Sequence, residues 1–379
     1  MLNFLKLILV FAVASVAILY FTKKDIALSN PHLPVLAQGL PKDLGEAEKA
    51  NILIIGNGVT EYITPMVEEI GEQYKQLFRN GLRVYNWSQK NEGIHRTLHK
   101  WRSLKKKPLI TIFMGGESEF IERKFLTKDT KKIKSNIMKT KDPKFSTLFS
   151  LLPQAAPYVL SPVNKFVYDI NLPSKKDFPL KSLEGSDSLK YIEFNLKLYR
   201  YFLNQLVMDV RSVNKNIIFV SYPANPKTKI HRVCKASKTS TIADTLYQIN
   251  ELIKKNDLNE ALRISRILSK KALGNAEVFY KRAKLEEKSG NFKSALRLYE
   301  LAHIFDCETK EANIVTNKIL QKVGSDYGVQ FVDFYGMILR DFGKTPLFLD
   351  GKIPQEKYFS KLKKSLKQII SEIIDGLEN

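Results

Sequence analysis

Four carboxylates in this chain, Glu61, Glu117, Glu119 and Asp350, fall in loops that follow apolar strand-like runs. Ligands in wound α/β sheets bind beyond the carboxyl ends of the strands, so these residues are expected along one sheet edge, where they could do acid-base work or hold a metal. His95 and His99 lie four apart, the spacing that puts two imidazoles on one helix face. Their run, His95-Arg96-Thr97-Leu98-His99-Lys100, is polar and cationic, so the pair reads as a solvated face and no metal is expected. His231 sits in a Lys-rich loop and reads the same way. Cys234 and Cys307 fit no metal spacing, and two cysteines are too few for a stapled scaffold; whether they pair stays open. No cofactor motif is present.

The elements that would position these residues alternate. Ile52 to Ile55 is a continuous apolar run, followed by Gly-Asn-Gly and a helical pattern from Tyr62 to Phe78. Further strands are expected at Leu82 to Asn86, Leu109 to Phe113, Asn216 to Ser221 and Val329 to Phe334. Helices are expected up to Leu104, from Ser188 to Val213 and from Gln355 onward. This order predicts a three-layer, doubly wound, parallel five-stranded α/β sheet. Two insertions interrupt it. The first, residues 121–187, is Lys-rich and then Pro-rich, and a loop of that length is usually functional or mobile. In the second, Asn256-Asp257-Leu258-Asn259-Glu260-Ala261-Leu262 recurs 34 residues later as Gly290-Asn291-Phe292-Lys293-Ser294-Ala295-Leu296. That is the period of tetratricopeptide (TPR) helix pairs, with small residues at Ala283, Ala295 and Ala302. Two copies fall short of a free-standing solenoid, so the block should lean on the sheet.

From 51 to 375 the sequence resembles the SGNH (GDSL-type) hydrolases, in their TPR-bearing, membrane-anchored branch. The family's Gly-Asp-Ser block reads Ile55-Gly56-Asn57-Gly58-Val59-Thr60-Glu61, with Gly58 at the nucleophile position. Gly116-Glu117-Ser118-Glu119-Phe120 stands where the family has Gly-His-Asn-Glu-Phe, so Ser118 replaces an oxyanion-hole Asn. Asp350-Gly351-Lys352-Ile353-Pro354 stands where it has Asp-x-x-His-Pro, so Ile353 replaces the general base and Asp350 alone is retained. The second block keeps Asn86, and its glycine has no assigned counterpart; Tyr222-Pro223-Ala224-Asn225-Pro226 also resembles TPR-bearing members. The resemblance therefore implies the flavodoxin-like form of this fold and a pocket at Asn57, Thr60, Glu61, Asn86, Glu117 and Glu119. Because acyl transfer needs a hydroxyl and an imidazole, it also implies a pseudoenzyme. The alternative is a divergent esterase, acyl hydrolase or glycan O-acyltransferase using other residues.

The run Leu7 to Phe21 is apolar and flanked by lysines, which reads as an uncleaved membrane anchor or an export signal within 1–24. Residues 25–50, with three prolines, read as a linker. The expected division is then 51–241 and 325–379 for the sheet and 242–324 for the TPR-like insert. Family members with such anchors act on envelope esters or glycans, which implies an extracytoplasmic, periplasmic domain in a bacterial envelope. Lys and Arg total 61 against 39 Asp and Glu, a net charge of +22 that favours anionic glycan or lipid headgroups. Lys is spread along the chain rather than clustered with aromatics, which argues against nucleic acid. A protein partner is expected on the TPR-like insert.

Overall fold

The computed structural model describes residues 35–78, 81–120, 125, 127–144, 159–161, 163, 166–171, 185–231, 233, 240–307 and 314–378. The apolar run at 7–21, Cys234 and parts of the first insertion lie outside them; among the described residues no helix is long and apolar enough to cross a membrane. In chain order the elements are β1 (Val35–Gln38), α1 (Leu44–Glu48), β2 (Ile52–Gly56), α2 (Thr64–Glu72), β3 (Val84–Asn86), α3 (Ile94–Ser103), β4 (Ile110–Met114), α4 (Thr130–Lys141), β5 (Phe166–Asp169) and α5 (Gly185–Ser212). They continue with β6 (Asn216–Val220), α6 (Ser240–Lys254), α7 (Leu258–Lys271), α8 (Ala276–Lys288), α9 (Phe292–Ile304), α10 (Ile314–Tyr327), β7 (Gln330–Val332), α11 (Phe334–Leu339) and α12 (Glu356–Glu378). The chain divides into two compact units, the smaller holding β1, α4 and β5 and the larger holding the rest. In the smaller unit β1 and β5 pair in parallel, Val35 with Phe166 through Gln38 with Asp169.

In the larger unit β3-β2-β4-β6-β7 form one all-parallel sheet. Counted along the chain that order is 2-1-3-4-5, the flavodoxin-like winding. The central strands β2 and β4 are buried at every position, which is why they read as unbroken apolar runs rather than alternating ones. The two edges are only three residues long each, a length that leaves little backbone open to stray pairing. Helices α2 and α12 cover one face and α3, α5 and α10 the other. Helix α12 buries Tyr358, Leu362, Leu366, Ile370 and Ile374, a stripe at four-residue spacing that seals the first face.

Helices α6 to α9 form two successive hairpins, with α7 packed on α8. Asp257 caps α7 through the Glu260 N–H at 3.1 Å, and Asn275 caps α8 through the Val278 N–H at 3.2 Å. Ala261, Ala283, Ala295 and Ala302 are fully buried, so the helix axes approach closely. Arg266 on α7 holds Glu286 on α8 with two hydrogen bonds of 3.0 Å. Phe279, Leu298 and Tyr299 belong to the same core cluster as Tyr335, Phe342 and Leu347, so the second hairpin shares the sheet's core, whereas Leu246, Ile249, Leu262 and Leu268 form a separate one. Cys307, just beyond α9, is buried and disulfide-bonded.

Three expectations need correcting. Within the expected linker, Val35–Gln38 is a strand and Leu44–Glu48 a helix, held where Ala47 is buried and the Trp87 indole N–H donates to Lys42 O at 2.8 Å. The helix expected from Tyr62 to Phe78 ends at Glu72 and gives way to turns. Helix α10, placed in the insert, packs on β6 and β7 as the crossover helix of the sheet, with Gly324 facing Phe219 and Phe331.

Candidate functional site

At the carboxyl end of β2 the backbone turns at Gly56, whose φ is +126°. The following Asn57 is a hub. Its N–H donates to Met114 O on β4 at 3.0 Å, and its side-chain oxygen accepts from Gly58 N at 2.5 Å. Its amide nitrogen donates to Ser118 Oγ at 2.9 Å and to the Glu117 carboxylate. Thr60, fully buried, donates to Asn57 O at 2.9 Å and meets Ser88 Oγ and Asn86 Oδ1. Asn86 in turn donates to Thr64 Oγ1 at 2.8 Å and accepts from Ser88 N at 3.0 Å. One polar network thus ties together the ends of β2, β3 and β4, and it satisfies itself.

Beside this network opens a cavity of about 330 Å³. Of the residues singled out in the sequence, Asn57, Gly58, Glu61, Glu117, Asp350 and Ile353 line it. Ser118, Thr60, Asn86 and Glu119 do not. Ser118 is fully buried behind Asn57, and Glu119, also fully buried, accepts the Ile94 N–H at 2.8 Å and so fixes the first turn of α3. Lys90, Tyr62, Lys352 and Asn225 complete the wall, and sequence reasoning did not weigh them as site residues. Lys352 and Asn225 fall in segments already quoted for the family resemblance, whereas Lys90 and Tyr62 were marked only by lying in loops beyond the carboxyl ends of strands. Among the described residues no Ser, Thr, Cys or His lines the cavity.

Asp350 is already engaged. Its Oδ1 accepts the N–H groups of Ile353 at 2.8 Å and Lys352 at 2.9 Å. These two donors hold its carboxyl below the ordinary aspartate range. The loop is braced further by Asn225, whose amide donates to Gly351 O at 2.8 Å. Gly58 itself is open: a Cβ there would lie 3.6 Å from Lys90 Cα, ordinary contact, with no left-handed φ.

The solvated reading of the histidine helix is overturned. His95, Arg96 and Lys100 are all buried, and His95 packs edge-on against Phe202 with ring centroids 4.8 Å apart. Lys100 pairs with buried Glu92 at 2.9 Å and also donates to Trp87 O; Thr97 adds a hydroxyl to Glu92 at 2.8 Å, and Arg96 donates to Ile170 O at 2.6 Å. The helix looked polar because its polar groups find partners inside the protein rather than water. His99 is half-buried, and burial, with Arg102 beside it, pushes its pKa down. His231 is exposed, with Nδ1 3.4 Å from Asp306. Among the described residues no group of three or more His, Cys, Asp and Glu side chains is placed to hold a metal.

No protein-family profile matches the chain, and no curated protein matches it. Solved structures do show likeness. One is a mutant of Axe2, an acetyl-xylooligosaccharide esterase from Geobacillus stearothermophilus, at 10% identity and TM-score 0.34 over 84% of this chain and 93% of that one. Another is LAE5, an alpha/beta hydrolase enzyme from the metagenome of Lake Arreo, Spain, at 11% identity and TM-score 0.33 over 84% of this chain and 95% of that one.

Proposed function

We propose that this chain is a membrane-tethered, extracytoplasmic relative of the SGNH hydrolases that binds at the sheet-edge cavity without hydrolysing there. Residues 1–24 serve as the anchor, the helical block within 242–324 as a TPR-like partner surface, and the basic exterior as a contact for anionic glycan or lipid headgroups. The observation that carries the reading is the cavity lining, which among the described residues holds no hydroxyl nucleophile of Ser or Thr type and no imidazole. One donor that could face an oxyanion is spent, because the Gly58 N–H donates to Asn57 Oδ1, and Ser118, fully buried and accepting from the Asn57 amide, does not line the cavity. The disulfide at Cys307 supports an oxidising compartment outside the cytoplasm.

The test is hydrolysis of p-nitrophenyl acetate by the full chain in detergent. The rate should equal that of the Asp350→Ala variant within about twofold, because Asp350 orients no base. A second reading, a divergent esterase or O-acyltransferase, draws on Glu61, Glu117 and Asp350 lining one cavity with Lys90. It would win if the unmodified chain turned over substrate at least about tenfold faster than background and lost this on Glu61→Gln or Glu117→Gln.

A further inference from the structure

The segment leaving β6 runs from the sheet-edge cavity to the helical hairpins and is pinned along the way. Tyr280 Oη donates to Lys227 O at 2.9 Å, His303 Nε2 lies 3.0 Å from Pro226 O, and the His231 N–H donates to the Asp306 carboxylate at 2.9 Å. Val233 then forms an antiparallel bridge with Asp306. Between this segment and helices α6 and α8 lies a second cavity, of about 400 Å³.

Its charge is one-sided. Lys229, Lys281 and Lys284 line it against a single carboxylate, Glu277, and no carboxylate forms an ion pair with these lysines among the described residues. Lys281 is held by one hydrogen bond to Asn250 Oδ1 at 2.6 Å, which leaves two of its three donors. Lys284 lies over the Tyr280 ring, 5.0 Å from its centroid, which fixes its ammonium near the wall. His231 adds little net charge, because Asp306 faces it. Lys229 and Lys284 are exposed and Lys281 half-buried, so the charges stay open to solvent, while Ile230 and Ile253 add apolar surface to the wall.

The geometry points to a binding site for a compact anionic group, a carboxylate or a phosphate, carried on a small and partly apolar body. Three like charges lining one cavity repel one another, and an anion bound among them relieves that repulsion. Lysines act as point charges rather than as a planar fork, so the site selects charge and size ahead of carboxylate or phosphate geometry. The site is separate from the sheet-edge cavity, and its failure would leave the function proposed above untouched.

Calorimetric titration of the full chain in detergent tests it with two charged probes, glucuronate and glycerol 3-phosphate, against glucose and glycerol. At least one charged probe should bind while its neutral counterpart does not, and the one that binds names the anion. The double variant Lys281→Gln, Lys284→Gln should weaken binding about tenfold, and Glu277→Gln should tighten it about threefold. The charge-matched control Lys364→Gln, Lys367→Gln on α12 should stay within about twofold of the unmodified chain. Absence of binding by both probes overturns the site. So does an equal loss in the control pair, which would mark diffuse attraction, or a Glu277→Gln variant that binds no tighter.

Discussion

Replacing Lys100 with methionine should lower folding stability by about 3–5 kcal/mol, the penalty for leaving a buried charge without its partner. Glu92 and Lys100 are 2% and 4% exposed, and their 2.9 Å contact is supported by Thr97 and by Trp87 O. Burial already pushes the Glu92 carboxyl above its ordinary range, with the Lys100 ammonium opposing that shift. Without Lys100 the carboxyl rises further. The folded variant then holds a proton that the unfolded chain releases above about pH 4.5, so its stability falls as pH rises from there toward the folded-state value. Urea denaturation at pH 5 and pH 8 should show the larger deficit at pH 8. Changing Glu92→Met alongside Lys100→Met should recover much of the loss, because it removes the orphaned charge as well. A double variant no more stable than the single one would mean that packing of the lysine stem, and not the pair, holds α3 in place.

Gly56→Ala should be more damaging still, with a loss of about 4 kcal/mol or more that shows as failure to accumulate soluble protein. The φ of +126° is one that residues with a side chain rarely adopt, and the added Cβ would sit 2.0 Å from Met114 O and 2.7 Å from Met114 C. Both atoms belong to the backbone of the central strand β4, so relief requires β2 and β4 to part. Gly58→Ala, two residues away, is the internal control. Its Cβ meets nothing closer than 3.6 Å, and its stability should stay within about 1 kcal/mol of the unmodified chain. If thermal melting showed equal effects at the two glycines, strain at the end of β2 would not be the cause.

Three of the five strands, β2, β4 and β6, were legible because they are buried on both faces, and burial on both faces writes itself as an unbroken run such as Ile52 to Ile55. The two ends of the sheet-edge cavity were legible for a different reason: Asn57, Gly58, Asp350 and Ile353 fall in loops that the winding must bring to one edge. What the sequence hid were partnerships. Nothing in the order of residues on α3 shows that Lys100 faces Glu92 or that Arg96 reaches Ile170 O, so a helix with buried ion pairs looked like one facing water. Ser118 posed the same problem in reverse. Its motif position suggested a place in the pocket, whereas the Asn57 amide draws it behind the wall. Helix α10 was assigned to the insert because helical periodicity does not say which surface a helix covers.

The placement of the helical hairpins between β6 and β7 bears on how the chain reaches its native state. Val220 must find Val332 across the whole hairpin block, and joining partners so far apart in sequence is slow unless the intervening chain is first made compact. The hairpins supply that compaction, because α6 to α9 meet through neighbouring contacts that form locally and quickly. Phe279 and Tyr299 then carry the folded block onto the core that also holds Phe334 and Val332. The hairpin block in this sense shortens the effective loop that pairing of β7 with β6 must close.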